Sequence, residues 1–205
     1  MDAILFDLGN VLIDWNPRHL YRKLFDGDDA AMEHFLDTVC TGEWNRQMDA
    51  GKPFAEAVAE LQHEHPDRAD LIAAFHLRWS ETLGDSIEGS VEILAALRQR
   101  EHRLYALTNW SAETFPIARE RFPFLAWFED IVVSGDVRMT KPDPDIFELT
   151  LERFGLTAST TVFIDDSGPN VATARSLGMH AIHFENPTQL HTALNEFGVL
   201  ERRQV

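Results

Sequence analysis

Asp7 follows the apolar run Ala3-Ile4-Leu5-Phe6 and precedes a turn at Gly9-Asn10. Thr108-Asn109 closes a second run that starts at Arg103, and Asp165-Asp166 closes a third that starts at Thr161. Lys141 sits in the loop Thr140-Lys141-Pro142, in a chain whose only other lysines are Lys23 and Lys52. Short apolar runs of this kind read as buried parallel strands, whose carboxyl ends are where open α/β sheets gather reactive groups. Taken singly, each stretch has an ordinary reading: a helix cap, a strand-to-helix turn or a solvated loop. Taken together they describe a reaction centre. Three carboxylates a few ångströms apart do not all stay ionised without a cation. Hard oxygen ligands favour Mg²⁺, which keeps waters and a substrate phosphate in its shell. A carboxylate nucleophile, a lysine charge and hydroxyl or amide donors then suit phosphoryl transfer, which depends on positioning and charge neutralisation.

The elements that must position these groups alternate. Strands are predicted over Ala3–Phe6, Arg103–Thr108, Ile131–Ser134, Thr161–Ile164 and His180–Phe184, with amphipathic helices between them. Asp143-Pro144 and Gly155 form a start and stop pair for one of those helices. Repeated β then α implies a parallel sheet covered on both faces. From Asn16-Pro17 to Gly84 the pattern is helical throughout, with Leu20, Leu24, Phe35, Leu36, Phe54, Val58, Leu61, Ile72, Phe75 and Trp79 at helical spacing. The expectation is a Rossmann-like α/β core over 1–14 and 85–205 with a small helical module over 15–84 inserted after the first strand. Glu201 to Val205 reads as a frayed tail.

Composition narrows the partners. A net charge of −16 argues against a phosphate-backbone partner, so no nucleic acid is expected. No apolar run reaches membrane-spanning length, and the first residues form no basic, apolar leader. The single cysteine, Cys40, excludes an intramolecular disulfide and suits a reducing cytoplasm. Oligomeric state is not legible.

The order of the four stretches resembles the haloacid dehalogenase superfamily of hydrolases along essentially the whole chain. Phe6-Asp7-Leu8-Gly9-Asn10-Val11-Leu12 is similar to its first motif and Leu107-Thr108-Asn109 to its second. Lys141-Pro142 resembles the third and Phe163-Ile164-Asp165-Asp166-Ser167 the fourth. The helical insertion after the first motif resembles the subgroup with a C1 cap. The resemblance implies that Asp7 attacks phosphorus to form an aspartyl-phosphate, and that Thr108 and Lys141 hold the phosphoryl oxygens. It implies Gly9, Asn10 and Asn109 at the substrate. It also implies Mg²⁺ on Asp7, the Gly9 carbonyl and Asp166, with Asp165 as a close or alternate ligand. The expected substrate is a small phosphorylated metabolite, and within the family the nearest resemblance is to bacterial α-D-glucose-1-phosphate phosphatases.

Two departures stand out. Most phosphatases of the family carry an aspartate two residues after the nucleophile as general acid and base, where this chain has Gly9. The fourth motif usually ends in a further acid, where this chain has Asn170. Dehalogenation of a 2-haloacid is one alternative, since those enzymes also lack the second aspartate, but they need no metal and replace the paired acids. A catalytically weak binding module is the other. Asp14 is the one carboxylate near Gly9 in sequence and so a candidate acid, with helix capping as its plainer role. Trp15, Arg18, Trp44, Asn45, Arg46 and Gln47 are candidates for the leaving group, although Trp44 equally suits the interior of a helical bundle.

Overall fold

The computed structural model describes residues 1–200, so the predicted tail at 201–205 lies outside the described residues. In chain order the elements are β1 (Ala3–Phe6), β2 (Ile13–Trp15), α1 (Arg18–Leu24), α2 (Asp29–Thr38), α3 (Gly42–Asp49), α4 (Phe54–Glu64), α5 (Ala69–Leu77) and β3 (Leu83–Ser86). There follow α6 (Glu88–Gln99), β4 (Arg103–Thr108), α7 (Phe115–Arg121), β5 (Asp130–Val133) and α8 (Ser134–Val137). The last are α9 (Pro144–Phe154), β6 (Thr161–Asp165), α10 (Gly168–Ser176), β7 (His180–His183) and α11 (Pro187–Glu196). The α/β architecture expected from the sequence is present. β1, β4, β5, β6 and β7 form one parallel sheet in the order β5-β4-β1-β6-β7.

Side-chain alternation along these strands divides the interior in two. Ile4, Phe6, Leu104, Ala106, Val162 and Ile164 face α6 and α11, whereas Leu5, Tyr105, Leu107, Val132 and Phe163 face α9 and α10. The Asp143 side chain accepts from Asp145 N–H and Gly155 takes the left-handed conformation at φ 61°, so α9 starts and stops where the sequence signals it.

The predicted helical stretch is bracketed by strands that the periodicity did not show. β2 and β3 pair antiparallel, Ile13 with Ser86 and Trp15 with Leu83, as a two-stranded ribbon from which α1–α5 depart and to which they return. A Cβ on Gly84 would lie 2.3 Å from Asp14 Oδ2, so a larger residue there would push the Asp14 side chain aside. Phe75 is the centre of the inserted helices, with ring centroids 5.1 Å from Trp44, 6.2 Å from Phe54 and 6.4 Å from Tyr21. Their core runs without a break into the α6 face of the sheet. Phe75→Ala removes a buried aromatic from that junction, and urea unfolding should show a loss of about 3–5 kcal/mol. A loss under about 1 kcal/mol would mean that the site collapses freely around the deletion.

Candidate active site

The sheet order reverses at β1, because the chain first builds outward to β4 and β5 and then crosses to β6 and β7. In such sheets the crevice beyond the strand ends at that reversal is the ligand site. Phe6 is in register with Ile164, so the next residues along, Asp7 and Asp165, emerge side by side there. Asp7, Asp165 and Asp166 each bring a carboxylate oxygen to within 4.8 Å of the others.

Lys141 lies at the middle of this group, 2% exposed, with its Nζ 3.0 Å from Asp7 Oδ1 and 2.6 Å from Asp165 Oδ2. The ammonium also donates to the Leu107 carbonyl at 2.9 Å. Asn109 holds the loop that carries it. Its Oδ1 accepts from Lys141 N–H and its Nδ2 donates to the Lys141 carbonyl, both at 2.9 Å. The expected amide donor to a substrate is therefore a clamp on the lysine backbone. Thr108, buried at the end of β4, is the adjoining group.

Asp165 is fully buried and satisfied on both oxygens: Ser167 N–H and Asn170 Nδ2 donate to Oδ1, and Asn170 Nδ2 and Lys141 to Oδ2. Asn170, the second departure, thus does structural duty by fixing the carboxylate that fixes Lys141. Asn170→Ala should cost about 1.5–3 kcal/mol in chemical denaturation, the worth of a hydrogen bond to a charged group. Burial pushes the Asp7 carboxyl up to about 7, against the pull of Lys141. Asp166 is also held above its usual range, by burial first and by the charge of Asp165 second.

Beside this cluster opens a pocket of about 70 Å³, bounded by Gly9, Asn109 and Ser111 at the sheet ends and by Trp15, Asn45 and Asp49 from the inserted segment. Of the residues singled out for a leaving group, Trp15 and Asn45 reach it. The others do not. Trp44 is buried against Phe75 and donates to the Ala57 carbonyl, Arg18 is paired with Glu33, and Gln47 binds Lys52. Arg46 is exposed. Asn10 is also exposed and takes φ 56°, so it shapes the turn after the nucleophile strand, outside the pocket walls. Asp14 points elsewhere, bonded to His19 Nε2 at 2.8 Å and packed over Gly84 in the ribbon. Asp49 was not singled out from the sequence, since an acid on the last turn of a helix gives no signal of its own.

Residues 1–178 match the family model of the haloacid dehalogenase-like hydrolases. The chain belongs to this family. It is 27% identical over 180 residues to pyrophosphatase PpaX of Bacillus velezensis, covering 86% of this chain and 79% of that one. It is 27% identical over 187 residues to the phosphorylated carbohydrates phosphatase of Thermotoga maritima, covering 89% and 84%. Its fold is similar to that of a family enzyme of Bacteroides thetaiotaomicron solved as a magnesium complex, with a TM-score of 0.69 and 24% identity over 91% of this chain and 94% of the other. This hydrolase is therefore an enzyme of a family in which the Bacillus and Thermotoga relatives are named as phosphatases. No described helix is long and apolar enough to cross a membrane.

Proposed function

We propose that the chain is a magnesium-dependent phosphatase of a small phosphorylated metabolite, working through an aspartyl-phosphate on Asp7. The observation that carries this reading is the Asp7 carboxylate held at the sheet reversal between Lys141 and a second, half-buried carboxylate, Asp166. The donor set fits the metal: three clustered carboxylates face one lysine, leaving excess negative charge, and all are hard oxygen ligands. Asp7, Asp166 and the Gly9 carbonyl would hold Mg²⁺, with Asp165 behind them tied to Lys141. When bound, the ion supplies the charge neutralisation that lets a phosphate dianion approach carboxylates.

In this reading Asp7 attacks phosphorus, Thr108 and Lys141 hold the phosphoryl oxygens, and Asn109 keeps Lys141 in register. A water later takes the phosphoryl group from Asp7. The helices α1–α5, with the ribbon β2–β3 as stalk, serve as the C1 cap (15–84) over a core of 1–14 and 85–205. A pocket of about 70 Å³ has room for about two waters at a water's share of about 30 Å³, which suits a small leaving group. Aromatic walls with Asn45, Asp49 and Ser111 suit a hydroxyl-bearing one, so we assign the substrate to the sugar phosphates, near the α-D-glucose-1-phosphate phosphatases. The buried free Cys40 supports placement in the cytoplasm.

The test is a panel of phosphorylated metabolites and 2-chloropropionate, assayed with Mg²⁺ and with excess chelator. Phosphate release that needs Mg²⁺ is the expected result. Halide release in chelator would mean the dehalogenase reaction, and no release from any compound would mean a binding protein.

A further inference from the structure

The first motif lacks a side chain where most family phosphatases keep their proton donor, and the structure shows that the space is empty. A Cβ built on Gly9 meets no atom within 4 Å. The same pocket is lined by Asp49, at the end of α3. Its carboxylate accepts from Asn45 Nδ2 at 3.1 Å, one turn earlier on the same helix. Its own carbonyl accepts from Ser134 Oγ at 2.6 Å, docking the end of α3 on the sheet domain. Asp14, the sequence-adjacent candidate, is occupied in the ribbon by His19.

We propose that Asp49 is the proton donor to the leaving group, acting from the cap side of the pocket in place of the carboxyl absent at Gly9. This rests on the phosphatase reading above. Burial raises the Asp49 carboxyl to about 7, against the opposing pull of Arg46 on the same helix and the Ser111 N–H, so a large share is protonated near neutral pH. Charged groups on the segments packed around α3 include Asp136 on α8, Glu56, Glu60 and Glu64 on α4, Arg138, whose side chain lies by Gly51, and Glu113, which accepts from Phe54 N–H and lies 3.7 Å from His76. Trp110, which lines the same pocket beside Asn109, has a buried indole N–H with no partner among the described residues, a donor left for an oxygen of the leaving group.

The step balances. The bond from Asp7 Oδ to phosphorus forms as the phosphorus–oxygen bond to the alcohol breaks, and the departing oxygen takes its electron pair together with the Asp49 proton. Water then attacks phosphorus, the bond to Asp7 breaks, and a proton of that water returns to Asp49. The sum is ester plus water to alcohol plus inorganic phosphate.

Asp49→Asn keeps an oxygen that can accept from Asn45 Nδ2 but has no acidic proton to give. On the best alkyl phosphate of the panel kcat/KM should fall about a hundredfold, while on p-nitrophenyl phosphate, whose leaving group needs no proton, it should stay within about threefold. An equal loss on both esters would make Asp49 a merely structural tie, and no loss on either would remove it from the reaction. The wild type gives a second reading that does not depend on the variant folding. Across aryl and alkyl phosphates its kcat/KM should vary little with leaving-group pKa, and a steep decline would overturn the assignment. A wild type that hydrolyses no phosphate ester fails the phosphatase reading itself, whereas one that hydrolyses them indifferently to Asp49→Asn fails only this proposal.

Discussion

Asp7→Asn should lower phosphate release by on the order of 10⁴-fold or more, because an amide oxygen cannot attack phosphorus as a carboxylate does. The change is close to isosteric. Oδ1 of residue 7 accepts from Leu8 N–H at 2.8 Å, and an amide oxygen can go on doing so. One negative charge also leaves a site in which Asp165 and Asp166 already push the Asp7 carboxyl toward protonation. The variant should therefore fold and melt at least as high as the wild type, which separates lost chemistry from lost structure. Reductive trapping of the acyl-phosphate followed by mass spectrometry should mark residue 7 in the wild type and nothing in the variant. A mark on any other residue would move the nucleophile.

Lys141→Met should be the most damaging single change to the fold among the site residues. It fills a similar volume but leaves Asp7 and Asp165 facing each other in the interior, where breaking a buried pair costs about 3–5 kcal/mol. The direction with pH follows from Asp7. Its folded value is already about 7, and Lys141 is among the groups that lower it, so the variant should raise it further. A carboxyl with a raised folded value favours the native state below its unfolded value near 4 and loses that contribution as pH rises through the folded one. The melting-temperature deficit of Lys141→Met should accordingly be small at pH 4.5 and large at pH 8, on the order of 10 °C or more. A deficit that does not change with pH would mean that the lysine acts through packing alone.

The sheet strands could be read from the sequence because β1 and β6 are covered on both faces, and an unbroken apolar run is all that such a position permits. Asp143-Pro144 and Gly155 were legible for a different reason: caps use side chains of few types at fixed places. The ribbon β2–β3 was not legible. Ile13-Asp14-Trp15 and Leu83-Gly84-Asp85-Ser86 are too short to show a period, and their pairing joins residues some seventy positions apart in the sequence. The cluster of Asp7, Lys141 and Asp165 was within reach because chemistry restricts residue types. Of the wall that the inserted segment supplies, Trp15 and Asn45 were legible but Asp49 was not, since it differs from any exposed helical acid only in what α3 packs against. The same limit explains Asn109, whose clamp on Lys141 depends on how two loops meet.

The unbroken core beneath the ribbon has a consequence for how the molecule comes apart. Met32, Phe35 and Phe75 belong to the same apolar cluster as Ile4, Phe6 and Leu94, so neither part has a finished interior of its own. Heating should thus give one cooperative transition seen alike by calorimetry and by circular dichroism. Proteases should find no intermediate cut at the ribbon, and the segment 15–84 expressed alone should stay unfolded until the rest of the chain is supplied.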